Sequence, residues 1–275
     1  MRMVEARGMR MPKLGLGTWR MSGADCTAAV LGALERGYRH IDTAQMYGNE
    51  DAVGAALSST YVPRGEIHLT TKVWVDNLAP DAMTRALEGS LRQLGVGYVD
   101  LYLIHWPGPG MDLPAALGRM VRFQEQGLVR HIGVSDFPVA LLRQAVEEVG
   151  APVACNQVEY HVLLGQRRLL EYARAHDVAV TAYCPLAQGR LAEHAVLDGI
   201  AAKHGCTPAQ VALAWLLAQD GVAAIPKAGR AESQLANLAA LDIVLDAADW
   251  AAIVGLPKDQ RFVNPGFAPA WDPAG

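Results

Sequence analysis

The chain has 275 residues, of which 51% are hydrophobic and 19% are charged, and its net charge at pH 7 is −4. These proportions exclude a disordered, collagenous or coiled-coil protein. A chain of this length buries roughly three quarters of the surface that its unfolded form exposes, so it needs neither disulfides nor a metal to hold a core. Blocks of like charge and basic stripes are missing, which disfavours nucleic acid and anionic membranes as partners.

The sequence also bears on the compartment. No apolar run approaches the ~18 residues of a membrane span, and the opening MRMVEARGMRMPK lacks the apolar stretch of a signal peptide, so we expect a cytoplasmic protein. Cysteines occur far apart, without a C-x-x-C pair or a His at zinc-finger spacing, at positions Cys26, Cys155, Cys184 and Cys206. We therefore predict buried, reduced thiols and no metal site.

Strands and helices alternate along the chain. A β-hairpin is predicted first, over residues 2–12. Runs rich in Val, Ile, Leu and Thr then predict eight strands, over residues 14–19, 40–44, 67–73, 99–106, 131–136, 154–160, 179–185 and 223–228. The intervening stretches carry apolar residues at helical spacing, and several end at Gly, as helices commonly do: 25–37, 49–59, 79–95, 112–127, 137–150, 165–177, 207–221 and 230–241.

Eight such units without a break in composition predict an α/β fold, a single closed (β/α)₈ TIM barrel over residues 1–275. An extra helix is predicted between the seventh and eighth strands, over 194–205, and a short irregular tail after Trp250. A doubly wound fold would need a Gly-rich turn after its first strand. Gly15 and Gly17 instead lie inside that strand and the third glycine position is Arg20, which disfavours a Rossmann domain.

Polar residues end three neighbouring strands, where a barrel of this kind forms its active site. Asp42 closes the second strand, Tyr47 follows in the next loop, Lys72 closes the third strand and His105 the fourth. Each could be structural alone, since an isolated Asp is more often a cap or turn residue. A Lys at the end of an apolar strand needs a partner, however, and Asp42 can supply it. The joint arrangement favours a functional site.

These four groups suit proton transfer to a carbonyl oxygen. Lys72 would stabilise the phenolate of Tyr47 and lower its pKa from about 10, which makes the phenol a usable acid. Asp42 would keep Lys72 charged, while a neutral His105 could polarise the substrate oxygen. Because no side chain donates hydride, a reduced nicotinamide is needed to complete a reduction.

Groups that could hold such a cofactor follow on the later strands. Hydrogen-bonding groups for a carboxamide and an aromatic face for the ring are offered by Ser135, Asp136, Gln157 and Tyr183. After the eighth strand, Lys227 and Arg230 form a small cationic cluster beside the start of a helix, which suits a phosphate. Taken singly, each of these residues would be structural or a solvated surface charge.

The chain resembles the aldo-keto reductases over essentially its full length. The motifs that carry the resemblance occur in order: GLGTWR, GYRHIDTAQMYGNEDAVGAAL, LTTKVW, GVGYVDLYLIHWP, IGVSDF, NQVEYH, AYCPL and IPKAGR. The segments VPRGEIHLTTKVWVDNL, AAKHGCTPAQVALAW and GFAPAWD are similar to bacterial 2,5-diketo-D-gluconate reductases of the B type, a group that also reduces methylglyoxal. The resemblance implies NADPH-dependent reduction of aldehydes and reactive ketones or dicarbonyls, by a protein that is usually a monomer.

The resemblance also implies roles for individual residues. The catalytic tetrad would be Asp42, Tyr47, Lys72 and His105, with the phenol as acid in reduction and base in oxidation. NADPH would lie extended across the barrel mouth and transfer hydride from its 4-pro-R position, while the hairpin would close the barrel bottom. Lys227 would meet the 2′-phosphate and Asn237 would lie near the adenine. The substrate pocket would be lined by Trp19, Trp74 and Trp106.

Three positions depart from the family pattern. Ser233 replaces an arginine that stacks on adenine in many members, and Ala236 replaces a nearby glutamate, so a preference for NADPH would depend on Lys227, with Arg230 as a substitute. Asp136 replaces the asparagine that binds the carboxamide, and an ionised, acceptor-only group there would favour the positively charged oxidised ring. We therefore expect looser NADP(H) selectivity and somewhat tighter NADP⁺ binding than in close relatives.

Two other classes of function remain open from the sequence. A barrel lyase or aldolase would form a Schiff base on Lys72 or Lys227, although the pairing with Asp42 argues against the former. A nucleotide-sensing regulatory barrel is the second, and the intact tetrad argues against it. The short loop PGPGMD after the fourth strand and the short tail favour an open pocket for small dicarbonyls, sugar-derived ketones and aromatic aldehydes over bulky steroids.

Overall fold

The computed structural model describes residues 2–191 and 194–273. An antiparallel hairpin of β1 (Met3–Ala6) and β2 (Met9–Pro12) precedes the barrel. Eight parallel strands follow, each paired with the next in chain order: β3 (Leu16–Gly17), β4 (His40–Asp42), β5 (His68–Val73), β6 (Val99–Ile104), β7 (Val129–Ser135), β8 (Val153–Glu159), β9 (Ala179–Tyr183) and β10 (Val222–Ala224). All eight predicted strands are confirmed, although most are shorter than predicted, the first and last by the largest margin.

The barrel closes between its first and last strands. Parallel bridges join Leu14 to Ala224 and Gly17 to Lys227, and the Gly15 amide donates to the Ala224 carbonyl at 2.9 Å. A Cβ on Gly17 would lie 2.6 Å from the carbonyl oxygen of Ile225, so only glycine permits this approach of the two backbones. The predicted (β/α)₈ barrel is therefore confirmed.

Helices surround the sheet: α1 (Gly23–Glu35), α2 (Glu50–Ser59), α3 (Pro80–Leu94), α4 (Leu113–Glu125), α5 (Val139–Arg143), α6 (Arg167–Ala175), α7 (Ala195–His204), α8 (Pro208–Leu217), α9 (Ala231–Ala239) and α10 (Ala247–Val254). A π-helical turn, Gln144–Glu148, continues α5. Helix α7 is the predicted extra helix. Helix α10 was not predicted, and it begins with a capping box in which the carboxylates of Asp246 and Asp249 bind each other's backbone amides. Across the described ranges, no helix is long and apolar enough for a membrane span.

The core has an outer layer between helices and sheet and an inner layer inside the barrel. The inner layer joins strand residues such as Leu101 and Leu103 to Met9 and Met11 of the hairpin, which therefore closes the bottom of the barrel. Cys26 and Cys155 are buried as predicted, whereas Cys184 and Cys206 are partly exposed because they lie in loops. With its bottom closed, the barrel can admit a ligand from the C-terminal ends of its strands.

Candidate active site

A cavity of about 450 Å³ lies at the C-terminal ends of the barrel strands. Ten of the fourteen predicted site residues line it: Trp19, Asp42, Tyr47, His105, Trp106, Ser135, Asp136, Gln157, Tyr183 and Lys227. They come from the ends of seven of the eight barrel strands or from the loops that follow them, and the exception is β5, whose Lys72 lies beside the cavity. Parallel strands present their carboxyl ends on one side, which is why residues so far apart in sequence share one cavity.

Lys72 and Asp42 form a buried ion pair beside this cavity. The side chains are 0% and 1% exposed, and Lys72 Nζ donates to Asp42 Oδ1 at 2.5 Å. The same ammonium group donates to the Thr43 carbonyl at 2.9 Å and to the hydroxyl oxygen of Tyr47 at 3.3 Å. Three oxygen acceptors therefore surround the ammonium group, which is how a buried charge of this kind is satisfied.

A short turn places Tyr47 over the ion pair. The 3₁₀ turn Gln45–Tyr47 follows β4 directly and ends at Gly48, whose φ of 62° is in the left-handed region. The side-chain carbonyl of Gln45 accepts hydrogen bonds from the Trp74 amide and from Asn77, both at 3.2 Å, which ties this loop to the one after β5. The Trp19 ring lies 4.9 Å from the Tyr47 ring between centroids. The hydrogen bonds of Gln45 thus fix the turn that carries Tyr47, and the Trp19 ring packs against the phenol.

The pKa of Lys72 agrees with the sequence-based expectation, whereas the pKa of Tyr47 does not. Burial lowers the pKa of Lys72, but Asp42 and Tyr47 raise it by more, so the net shift is upward and the group stays charged, as predicted. Burial raises the pKa of Tyr47 by more than Lys72 lowers it. The predicted net lowering of the Tyr47 pKa is therefore wrong. Desolvation outweighs the cation, and the phenol remains in the protonated form that can donate.

His105 is neutral, as predicted. Burial, followed by the charge of Lys72, holds the pKa of this imidazole well below its usual range. Its Nδ1 is buried without a hydrogen-bond partner among the described residues. The ring stands at a steep angle to Tyr47 at 5.5 Å and to Trp74 at 5.2 Å. Trp74 packs against His105 and is not among the residues that line the cavity, unlike the other two predicted tryptophans.

The predicted carboxamide-binding residues meet on the opposite wall of the cavity. Asp136 has a left-handed backbone with φ of 60°, and its carboxyl accepts from the Tyr183 hydroxyl at 2.8 Å and the Ser135 hydroxyl at 3.3 Å. Burial raises the pKa of Asp136 well above its usual range. Burial therefore favours the neutral carboxyl, which, unlike the acceptor-only group expected from the sequence, carries an O–H that can donate as an amide does.

Gln157 links the two walls. Its side-chain amide donates to Asp42 Oδ2 at 2.8 Å while the residue also lines the cavity. Asp42 therefore holds Lys72 with one oxygen and Gln157 with the other. Sequence reasoning placed Gln157 with the cofactor residues and missed this contact with the ion pair.

Comparison with known proteins agrees with this geometry. The family model described as the aldo/keto reductase family matches residues 13–257. The chain belongs to the aldo/keto reductase family. A protein named methylglyoxal reductase DkgB from Salmonella typhi is 43% identical over 268 residues, covering 96% of this chain and 100% of that protein. Its namesake from Escherichia coli O157:H7 is 42% identical over the same length and coverage.

Solved structures of other family members superpose closely. A crystal structure of a protein provisionally named 2,5-diketo-D-gluconic acid reductase B matches with a TM-score of 0.96 at 41% identity, covering 99% of this chain and 98% of that chain. The thermostable aldo-keto reductase Tm1743, crystallised with the inhibitor epalrestat, matches with a TM-score of 0.87 at 38% identity. This match covers 92% of this chain and 99% of that chain. This aldo/keto reductase is accordingly an oxidoreductase similar to enzymes that act on small carbonyl compounds.

The predicted phosphate and adenine residues are less closely grouped. Lys227 is exposed at the rim of the cavity, whereas Arg230 and Asn237 do not line it. Arg230 is exposed at the N-cap of α9, and Asn237 is buried on the same helix. Ser233, on α9 between them, is half-buried. These positions follow the outer face of the barrel mouth, where an extended ligand could continue from the cavity.

Several lining residues were missed by the sequence reasoning. Arg20 follows Trp19 with φ of 60° and, with Lys227, supplies the positive charges among the described lining residues. Its position in the motif GTWR, directly after the first strand, was the available signal. Val263 in the tail also lines the cavity, as do residues of the loop after β9. Gln188 in that loop has a φ of 54°, a left-handed backbone conformation that is uncommon for glutamine and could not be predicted from its residue type.

Proposed function

We propose that this aldo/keto reductase reduces aldehydes and reactive ketones or dicarbonyls to alcohols, with NADPH as hydride donor and Tyr47 as proton donor. One observation carries the proposal. The Tyr47 hydroxyl lies on the cavity wall 3.3 Å from the ammonium group of Lys72, which is itself paired with Asp42. A protonated phenol beside a fixed positive charge is the arrangement that general acid catalysis at a carbonyl oxygen requires.

The residues present fit a nicotinamide cofactor. Ser135, Asp136 and Gln157 offer donors and acceptors to a carboxamide, and Tyr183 offers an aromatic face. The two cations of the cavity, Arg20 and Lys227, suit phosphate groups. When bound, the reduced nicotinamide would supply the hydride to the carbonyl carbon.

The protein's own groups would act on the carbonyl oxygen. The Tyr47 hydroxyl donates its proton as negative charge develops on that oxygen, and Lys72 stabilises the phenolate that remains. Asp42 keeps the ammonium group charged and in place. The neutral imidazole of His105 lines the same cavity and can hydrogen-bond the oxygen without competing for its proton. In the oxidation direction, the phenolate takes the proton back from the alcohol.

The lining of the cavity and the names of the relatives support a substrate class. We propose small dicarbonyls such as methylglyoxal or 2,5-diketo-D-gluconate, sugar-derived ketones and aromatic aldehydes. The aromatic walls from Trp19 and Trp106 support the last class. Lys72 is unsuited to Schiff-base chemistry, because its raised pKa and three acceptors keep it an ammonium ion without a free electron pair.

Cofactor selectivity is the finer part of the proposal. Ser233 and Ala236 leave Lys227 as the cation facing a 2′-phosphate, which supports looser discrimination between NADPH and NADH than in relatives that carry an arginine there. The raised pKa of Asp136 removes the basis for unusually tight NADP⁺ binding, because a neutral acid does not attract the positive ring.

The phenol can be tested directly. Tyr47→Phe keeps the ring and removes the proton donor, so kcat for methylglyoxal should fall by about 10² to 10⁴ while the Kd for NADPH stays nearly unchanged. NADPH oxidation measures the former and protein fluorescence quenching the latter. Tyr61→Phe is the matched control, because Tyr61 is 98% exposed. Wild-type turnover by Tyr47→Phe would contradict the assigned role.

A further inference from the structure

Glu159, the last residue of β8, is a buried carboxylate that the proposed chemistry does not use. It is 0% exposed, and its contacts come mainly from the tail, defined here as residues 260–273. Oε1 accepts from the Phe262 amide at 2.8 Å, and Oε2 accepts from the Val263 amide at 2.9 Å. The guanidinium of Arg261 lies 3.9 Å from Oε2. One carboxylate thus binds two consecutive backbone amides of a segment about a hundred residues away.

His161 completes this anchor. Its Nδ1 accepts from the Leu163 amide at 3.3 Å, so a ring proton lies on Nε2, which donates to Glu159 Oε1 at 3.0 Å. The imidazole also stacks on the Phe262 ring, with centroids 5.2 Å apart and planes at 21°. The tail is therefore anchored by hydrogen bonds to the Glu159 carboxylate and by the stacking of Phe262 on His161.

The anchored tail continues to the aromatic wall of the cavity. Val263 lines the cavity directly. Phe267 lies 6.0 Å from Trp74 and 5.8 Å from Trp106 between ring centroids, and Trp271 lies 6.0 Å from Trp106. Beyond the anchor, the tail is tied at its far end, where Asp272 accepts from the Val139 amide at 2.8 Å.

We propose that Glu159 is a positioning residue that holds the tail as one wall of the carbonyl-binding pocket. It would thereby set the affinity for carbonyl substrates large enough to reach that wall. The inference rests on the proposed reductase function. Glutamine at this position has one acceptor oxygen in place of two, so one tail amide would face an NH₂ group and lose its partner.

Substrate size separates positioning from a general structural role. In Glu159→Gln, KM for 2-naphthaldehyde should rise by about tenfold, because the lost amide contact is worth a factor of this order. KM for methylglyoxal, which is too small to need the wall, and kcat for both substrates should change by less than about twofold. The matched control is Glu147→Gln, whose carboxylate accepts from the hydroxyl of Tyr172 on α6 at 3.0 Å. It should behave as wild type with both aldehydes.

A double-mutant cycle tests the route through the tail. Phe267→Ala removes the tail ring that packs against Trp106 of the cavity wall, and it should raise KM for 2-naphthaldehyde on its own. Combined with Glu159→Gln, it should add little, because both changes remove the same wall. Independent, additive effects would overturn the proposal, as would unchanged KM values in a folded Glu159→Gln protein. Should that variant fail to fold, Glu159→Asp keeps the charge with a shorter reach and should show the same selective rise in KM.

A second readout needs no activity. Trypsin cleaves after Arg261, whose side chain is 15% exposed and lies 3.7 Å over the Trp271 ring. Mass spectrometry should show faster loss of the segment after Arg261 in Glu159→Gln than in wild type or Glu147→Gln. If wild type reduced no carbonyl compound, the proposed function would fail, and this cleavage rate would still decide whether Glu159 holds the tail. Equal cleavage rates would overturn the anchor itself.

Discussion

Replacing Asp42 with asparagine should destabilise the protein strongly, because the buried ammonium group of Lys72 would lose its counter-ion. The ammonium group is 0% exposed and its remaining acceptors are the neutral Thr43 carbonyl and the Tyr47 hydroxyl. Removing one partner of a buried pair costs about 3 to 5 kcal/mol. For a chain of this size, that lowers Tm by roughly 10 °C.

Urea unfolding at pH 7 measures this loss, and a second change tests its cause. Asp42→Asn combined with Lys72→Met leaves no unpaired charge, so the double variant should be more stable than Asp42→Asn by about 2 kcal/mol or more, while reduction stays abolished. Asp81→Asn serves as control, because its 90% exposed carboxylate pairs weakly with Arg119 at 3.7 Å. It should change stability by less than about 0.5 kcal/mol. An Asp42→Asn protein as stable as wild type would refute the reasoning.

Two further predictions concern pH. The pKa of His68 is held well below its ordinary value of 6.5, first by burial and then by the neighbouring His40. Below pH 6.5, the unfolded chain therefore binds a proton at this residue that the native state does not bind. Wild type should therefore lose about 1 kcal/mol more than His68→Leu as the pH falls from 6.5 to 5.5, measured by urea unfolding, and equal losses would contradict this. In Asp136→Asn, the Kd for NADPH at pH 7 should stay within about threefold of the wild-type value, because a carboxylic acid and an amide both donate and accept hydrogen bonds. In wild type, NADPH binding should weaken as rising pH ionises Asp136. The variant should lack this pH dependence. Fluorescence titrations with NADPH, NADH and NADP⁺ across pH decide this, and a strong preference for NADPH over NADH would contradict the looser selectivity.

The barrel was predictable because its signals are local and repeated. Each strand is a short run of β-branched and apolar residues bounded by helical spacing, and the order of eight such units leaves one closed arrangement. The tetrad was predictable for the same reason. A residue at the end of a parallel strand has a known location once the strand is known, so Asp42 and Lys72 could be placed together without coordinates.

Other features could not be predicted, because they depend on how deeply a side chain is buried or on contacts between residues far apart in the sequence. The direction of the Tyr47 pKa depends on whether burial or Lys72 dominates, and burial does. The neutral state of Asp136 likewise follows from its lack of exposure. Helix α10 is only eight residues long, too short for its apolar spacing to stand out. The contact of Glu159 with the tail joins residues about a hundred positions apart, and no local pattern encodes it.

The distribution of charge in the cavity bears on the form of cofactor it would bind. At the inner end, Lys72 and Asp42 cancel each other, and burial favours the uncharged forms of both His105 and Asp136. The positive charges that line the cavity come from Arg20 and Lys227. An inner end without net charge suits the neutral, reduced nicotinamide ring better than the cationic oxidised one, while the cations suit the phosphates. The same burial that raises the pKa of Asp136 therefore favours the cofactor form that reduction consumes.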